Sequence, residues 1–162
     1  MLAESQQRVV FIGQGVAYDG VATYADLDGI PEAQRIEFPV AEDFQMGFAI
    51  GMAMQGWLPI CSFPRCDFLI LALNQLVNHL DKIEQMSCGD IVPKVIVRTR
   101  VGNREPLNAG PQHTQNHTQA LRLMLDTVHV HEIREPQYIM DTYRTALHSH
   151  RSSVIVEALA CY

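Results

Sequence analysis

Arg35-Ile-Glu-Phe-Pro-Val-Ala-Glu-Asp-Phe-Gln-Met-Gly-Phe-Ala-Ile-Gly51 changes its structural period partway along. Arg35 to Phe38 reads as a short strand, and Pro39 closes it because proline has no N–H for a strand ladder. Ala41 to Gln55 then reads as a helix with Glu42 and Asp43 in its first turn, where the helix dipole favours negative charge. Small residues recur along it at Gly47, Gly51 and Ala53. A glycine inside a helix costs about 1 kcal/mol relative to alanine, so tight packing is the expected compensation. Leu58 to Phe63 follows as another strand. Strand, helix and strand in succession form the unit from which parallel sheets are built.

The same alternation extends in both directions. Upstream, Arg8-Val-Val-Phe-Ile12 is a strand that runs into Gly13-Gln14-Gly15, and Tyr18 to Glu32 is loop-like, with turn signals at Asp19-Gly20 and Asp28-Gly29. Downstream, Asp67 to Met86 reads as one long helix and Pro93 to Val101 as a β-branched strand. Asn103 to Gln112 is a loop rich in Gly, Pro and Asn. Thr114 to Leu125 reads as a helix, Thr127 to Ile133 as a strand, Pro136 to Ser149 as a helix and Ser153 to Leu159 as the last strand. The fold class is therefore α/β, a doubly wound and mostly parallel sheet with helices on both faces, formed by one domain over residues 1–162. In such folds ligands bind beyond the carboxyl ends of the strands. That rule singles out Gly13 to Gly20, Pro39 to Phe44 and Gly102 to Gln115.

Composition narrows the function classes. The chain has 162 residues, 48 % of them apolar, which fits one globular core. A formal charge of −6 argues against nucleic acid or an anionic membrane as the main partner. The nearly uncharged stretch from Phe44 to Phe63 is interrupted by Gly47, Gly51, Gly56 and Pro59, and reads as a buried helix and strand rather than a membrane span. Met1 to Gln7 lacks the apolar segment of a signal peptide. Cys61, Cys66, Cys88 and Cys161 show no metal-like spacing and read as free thiols of a cytoplasmic protein.

Several residues near the three loops carry chemistry. Glu42 directly follows a strand; it is either a capping acid stabilised by the helix dipole or a carboxylate facing a ligand. His113, in Gly110-Pro-Gln-His-Thr-Gln115, is either a solvent-facing loop histidine or a group that exchanges protons with a substrate. His113 and His117 are four apart and would share a helix face, but no third ligand accompanies them, so no metal site is expected. His129 and His131 would point the same way from a strand. Phe68 is a core residue by default, and its ring could also stack on a planar heterocycle. No dinucleotide, nucleotide-phosphate, serine-hydrolase or zinc-protease motif is present.

Taken together these segments resemble the pyrimidine-binding domain of the transketolase superfamily. The pattern most resembles the beta subunit of the pyruvate and branched-chain 2-oxoacid dehydrogenases (decarboxylating component). The matching segments are Arg8-Val-Val-Phe-Ile-Gly13, Tyr18-Asp-Gly20, Arg35-Ile-Glu-Phe-Pro-Val-Ala-Glu42, Gly47-Phe-Ala-Ile-Gly51 and Gly56-Trp-Leu-Pro-Ile60. Asp67-Phe68, Asn74-Gln-Leu-Val-Asn78, Met86-Ser87 with Gly89, and Gly110-Pro-Gln-His113 complete the pattern. The resemblance implies thiamine diphosphate as cofactor. It assigns Glu42 to a hydrogen bond with the aminopyrimidine ring, which promotes loss of the thiazolium proton. Phe68 would stack on that ring, Val40 would touch it through the backbone, and His113 would face the substrate. Gln14 falls where beta subunits commonly carry a glutamate near the cofactor.

The Gly-Asp-Gly…Asn motif that holds the diphosphate and magnesium in this family is not found in the sequence. The resemblance thus implies a second chain carrying that domain, in an α2β2 heterotetramer. The usual C-terminal domain and leading N-terminal helix of beta subunits also have no counterpart here. Three functions follow as expectations. The first is a subunit of a split enzyme that cleaves a 2-oxo acid or ketose donor and transfers the fragment. The second is the beta subunit of a 2-oxoacid dehydrogenase, and the third a non-catalytic interaction subunit. A small-molecule binding domain of flavodoxin type ranks below them.

Overall fold

The computed structural model describes residues 8–105 and 108–159, so the expectation for Cys161 lies outside the described residues. Among the described residues six strands form a single sheet: β1 Arg8–Gly13, β2 Arg35–Glu37, β3 Trp57–Phe63, β4 Ile96–Arg100, β5 His129–Ile133 and β6 Ser153–Glu157. The α-helical stretches are α1 Ala22–Ala25, α2 Glu42–Met54, α3 Cys66–Leu69, α4 Ile83–Met86, α5 Thr118–Met124 and α6 Ile139–His148. Their order is β2-β1-β3-β4-β6-β5 and every neighbouring pair is parallel. The chain leaves β1 toward one edge and then returns past it to β3. This reversal opens a crevice at the carboxyl ends of β1 and β3, where doubly wound sheets place their ligands.

Side-chain alternation along the strands sorts the core into two layers. Val10, Ile12, Cys61, Phe63, Val97, Val154 and Val156 point to one face. There they meet Met46, Ala49 and Ile50 of helix α2 (Glu42–Met54), Leu69, Leu76 and Leu80 of the following helical segment, and Leu121 of α5 (Thr118–Met124). Val9, Phe11, Leu58, Ile60, Ile96 and Ile155 point the other way. They pack on Val16 and Leu27 of the β1–β2 connection and on Tyr143 and Ala146 of α6 (Ile139–His148). Both faces of the central strands are covered, which is why those strands read as continuous apolar runs.

The segment from Asp67 to Met86 departs from the single helix that its pattern predicts. It begins with a turn of α-helix at Cys66–Leu69, tightens to a 3₁₀ turn at Ile70–Ala72 and widens to a π-helical stretch at Asn74–Leu80. A last α-helical turn follows at Ile83–Met86. The widening has a physical cause at Asp81. Its N–H bonds Leu76 O, five residues back, at 3.0 Å, which brings both Leu80 and Asp81 into the interior. The Asp81 carboxylate then accepts the backbone N–H groups of Asp126, Thr127 and Val128 at 2.8–3.2 Å. An interior that needs a leucine and an aspartate at consecutive positions overrides the regular 3.6-residue period.

Smaller differences follow from local hydrogen bonding. The Tyr18–Glu32 connection contains a helical turn at Ala22–Ala25 and leads into a 3₁₀ turn at Glu32–Gln34. The predicted helix at Thr114 starts only at Thr118, because Asn116 Oδ1 accepts both the Thr118 N–H and its hydroxyl at 3.0 and 2.6 Å. His113 and His117 both precede that helix and do not share a helix face. His129 and His131 do lie together on the edge strand β5, their rings 6.2 Å apart. Among the described residues no helix is long and apolar enough to cross a membrane.

Candidate active site

Gly13 ends β1 beside Ser62 of β3, and a Cβ at Gly13 would lie 2.4 Å from Ser62 O. Only glycine permits this close approach, which brings the two strand ends together at the switch point. The chain then turns through Gln14 and Gly15. Gly15 has φ +71°, and a Cβ there would meet Val21 Cγ2 at 2.6 Å.

Helix α2 brings Glu42 to the same place. Its carboxyl-bearing residue is 5 % exposed, and among the described residues its one side-chain hydrogen-bond partner is Gln14, whose Nε2 donates to Oε1 at 3.3 Å. One turn further along, Gln45 is completely buried and donates Nε2 to Ser62 O at 3.0 Å and to Cys61 Sγ at 3.3 Å. This side chain bolts the first turn of α2 to the end of β3. Burial pushes the Cys61 thiol up to about 12, a rise that the Gln45 amide only partly offsets.

A second pair forms beyond β3 and β4. The Phe68 and His113 rings meet edge to face, with centroids 5.3 Å apart. Two contacts hold the histidine there. Gly102 N–H donates to His113 O at 3.0 Å, and a Cβ at Gly102 would lie only 2.0 Å from that oxygen. Asp67 Oδ1 accepts the Gln115 backbone N–H at 3.3 Å and its side-chain amide at 2.9 Å. The residue preceding the aromatic ring therefore ties down the loop that carries the histidine.

The structure thus brings Gln14 to Glu42 and Phe68 to His113. Gln45, through Ser62 of β3, connects the helix of the first pair to the strand that leads into the second. Val40 lies just before α2 and is 79 % exposed, with Phe44 at 61 % beside it. Gln45 carries no signal of a site role in the sequence, whereas Asp67, Gly102 and Gln115 lie in stretches marked by the strand-end rule or the family pattern, which do not disclose that they anchor the loops. Gln45 lies one helical turn beyond Glu42, Asp67 immediately before Phe68 and Gln115 two positions beyond His113. A cavity of about 400 Å³ lies elsewhere, on the α6 face between Phe11, Ile60 and Met140. Its polar side is internally paired, with Arg98 bridging Asp26 at 3.0 Å and Glu157 at 2.9 Å.

Comparison with known proteins agrees with this fold. Residues 1–158 match the family described as "Transketolase, pyrimidine binding domain". The mitochondrial pyruvate dehydrogenase E1 component subunit beta of Chaetomium thermophilum is 31 % identical over 117 residues, covering 70 % of this chain and 30 % of that protein. The 2-oxoisovalerate dehydrogenase subunit beta of Bacillus subtilis is 31 % identical over 102 residues, covering 61 % of this chain and 31 % of that protein. The chain spans about a third of the length of these relatives. A solved structure titled "Split gene transketolase, inactive beta4 tetramer" superposes with a TM-score of 0.71 at 16 % identity, covering 93 % of this chain and 45 % of that one. That likeness shows the fold. With a match over 158 residues, the chain belongs to the transketolase pyrimidine-binding domain family.

Proposed function

We propose that this chain is the aminopyrimidine-binding subunit of a thiamine-diphosphate enzyme that cleaves a bond beside a carbonyl group and passes the fragment to an acceptor. The observation that carries the proposal is Glu42: a nearly buried carboxylate at the switch point with one side-chain donor. A buried carboxylate needs further donors or a proton. A ring nitrogen of the aminopyrimidine would meet that need.

When bound, thiamine diphosphate supplies the carbon nucleophile and electron sink for the cleavage. The chain's own residues do the rest. Glu42 holds a proton at its free carboxylate oxygen against the ring nitrogen. Gln14 fixes the other oxygen, so the acid has one productive orientation. Phe68 offers a half-buried ring on which the aminopyrimidine would stack, and the main chain at Val40 would contact it. His113, held edge to face with Phe68, exchanges a proton with the substrate.

Among the described residues no three or more His, Cys, Asp or Glu gather so as to hold a metal ion. In this reading a partner chain holds magnesium and the diphosphate, in an α2β2 heterotetramer in the cytoplasm. The exposed apolar surface at Val40 and Phe44 beside Glu42 supports such a partner, which would also exclude water from the carboxylate. The related split transketolase, titled as an inactive tetramer of beta chains, supports the expectation that this chain alone is inactive.

A second reading, favoured by the 31 % identity to dehydrogenase beta subunits, makes the acceptor a lipoyl group on an acyltransferase. Offering the reconstituted enzyme a lipoyl domain or a free aldehyde acceptor separates the two. The core proposal is tested by Glu42→Gln in the reconstituted enzyme. Turnover should fall by at least about 100-fold, as for other proton-transfer groups, with the circular dichroism unchanged. A folded variant that keeps more than about a tenth of the turnover would remove Glu42 from the chemistry.

A further inference from the structure

We infer that Glu37 is a positioning residue for the Glu42 site, acting through the loop that carries Gln14; the inference rests on the reading of Glu42 given above.

Glu37 ends β2, the three-residue edge strand, in register with Gly13 of β1. Among the described residues its carboxylate is not paired with a cation. Instead Oε1 accepts the Gly15 N–H at 2.6 Å and Oε2 accepts the Ala17 N–H at 2.8 Å. Alternate amides closing on one anion form a nest, a concave backbone site for negative charge. Bonds of this kind to an ionised acceptor are short and stronger than neutral ones. The positive φ of Gly15 makes the curl possible, and the crowding against Val21 reserves that position for glycine.

Two consequences follow for Gln14. Its preceding residue is locked into the sheet, since Gly13 pairs with both neighbouring strands and Gly13 O accepts the Phe38 N–H at 2.9 Å. Its following residue is locked by Glu37. With the backbone held on both sides, the Gln14 side chain reaches Glu42 at 3.3 Å. Glu42 itself lies only five residues beyond Glu37 along the chain. One side chain thereby sets the distance between the donor loop and the acceptor helix.

Arg35, two residues earlier on the same side of the strand, continues the grip. Its guanidinium donates to Leu27 O at 2.6 Å and Ile30 O at 2.7 Å, and lies 4.7 Å from the Tyr24 ring centroid. The two charged side chains share the connection between them. Arg35 holds its far part at Leu27 and Ile30, and its Nη1 also donates to Val16 O at 3.4 Å. Glu37 holds the Gly15 and Ala17 amides on either side of Val16. Loss of Glu37 therefore releases the turn next to Gln14, while Arg35 and the buried Val16 keep the remainder in place.

The test has two arms. In the first, the ¹⁵N-labelled full chain is examined by NMR as wild type, Glu37→Gln, Glu42→Gln and, as a control on an exposed acid, Glu32→Gln. Glu37→Gln should move the Gly15 and Ala17 amide protons upfield. It should also move the Gln14 side-chain amide in the same direction as Glu42→Gln does, while Glu32→Gln moves neither. In the second arm, the chain reconstituted with its diphosphate-binding partner, thiamine diphosphate and magnesium is assayed. Glu37→Gln should lower kcat by about 10- to 100-fold, the scale of a small misplacement of reacting groups, with KM changed less than about threefold.

A loop staple with no positioning role would lower the melting temperature and leave kcat intact. If Glu37→Gln does not fold, Glu37→Asp serves: its shorter carboxylate keeps the charge, reaches one amide, and should give an intermediate effect in both arms. An unmoved Gln14 amide, or an unchanged kcat in a folded variant, overturns the inference. Absence of thiamine-dependent turnover in wild type would instead defeat the functional reading, and the NMR arm would still decide whether Glu37 positions Gln14.

Discussion

The side-chain amide of Gln14 donates to the Glu42 carboxylate at 3.3 Å, joining the loop after β1 to the first turn of α2. Twenty-eight residues separate the two, and the sheet brings them together because β1 lies between β2 and β3. The pair has a defined sense, the Gln14 Nε2–H donating and the Glu42 Oε1 accepting. Gln14→Ala removes the donor and leaves Glu42 free to rotate. Turnover of the reconstituted enzyme is expected to fall about tenfold, near 1.4 kcal/mol of lost transition-state stabilisation. Unchanged steady-state kinetics would show that the bond does not act on the reaction.

The His113 loop depends on Gly102 for space. A Cβ 2.0 Å from His113 O cannot be accommodated by side-chain adjustment, since the obstacle is backbone. Gly102→Ala should displace the loop and break the edge-to-face contact with Phe68, while the strands keep their register. The expected result is a turnover loss of about 100-fold with a nearly native circular dichroism spectrum. Asp67→Asn, which weakens the hold on Gln115, should act in the same direction and less strongly. Full activity in Gly102→Ala would place His113 outside the reaction.

Asp81 controls stability in acid rather than activity. Burial pushes its carboxyl up, but the Lys82 ammonium and the N–H groups of Thr127, Val128 and Asp126 outweigh this and hold it at about 2. An unfolded aspartate titrates near 3.9. The native state therefore binds the proton more weakly, and its advantage is complete above about pH 4 and lost as the pH falls toward 2. At about 1.4 kcal/mol per tenfold difference in proton affinity, the contribution is about 2 to 3 kcal/mol. Asp81→Asn should cost about that much by urea denaturation at pH 7, and the gap to wild type should close between pH 4 and 2. A gap that persists unchanged at pH 2 would refute this assignment.

The thiols should divide by environment. Cys61 and Cys66 are buried, and burial raises both thiols. Cys88 is exposed, on a turn with φ +54°. Only thiolate attacks alkylating agents. Brief treatment of the native chain with iodoacetamide, followed by peptide mass spectrometry, should modify Cys88 and spare Cys61 and Cys66. Modification of Cys61 at a comparable rate would mean that the α2–β3 contact opens readily.

Much of this arrangement is legible in the residues themselves. Short β-branched runs separated by amphipathic stretches are enough to predict a parallel sheet, and the strand-end rule locates the loops of Gln14, Glu42 and His113. What periodicity does not reveal is where a tertiary contact alters a helix. Asp81 must reach three amides that are 45 to 47 residues away, and the backbone widens into a π-helix to let it. Nor does spacing disclose that Glu37 and Asp67 serve as loop anchors. Each is a carboxylate whose partners are backbone amides or a distant amide side chain, and such bonds leave no pattern along the chain. The proposed function rests on family motifs, since a carboxylate at a helix start can by itself be a cap.

The most direct measurement of the central claim is a calorimetric titration of thiamine diphosphate with magnesium. It is made into this chain alone and into its mixture with the chain that carries the diphosphate-binding domain. Saturable binding in the mixture, weakened when Glu42 is replaced by Gln and absent with this chain alone, is the predicted result. Equal binding by the partner with and without this chain would contradict the proposed role of Glu42 and its neighbours.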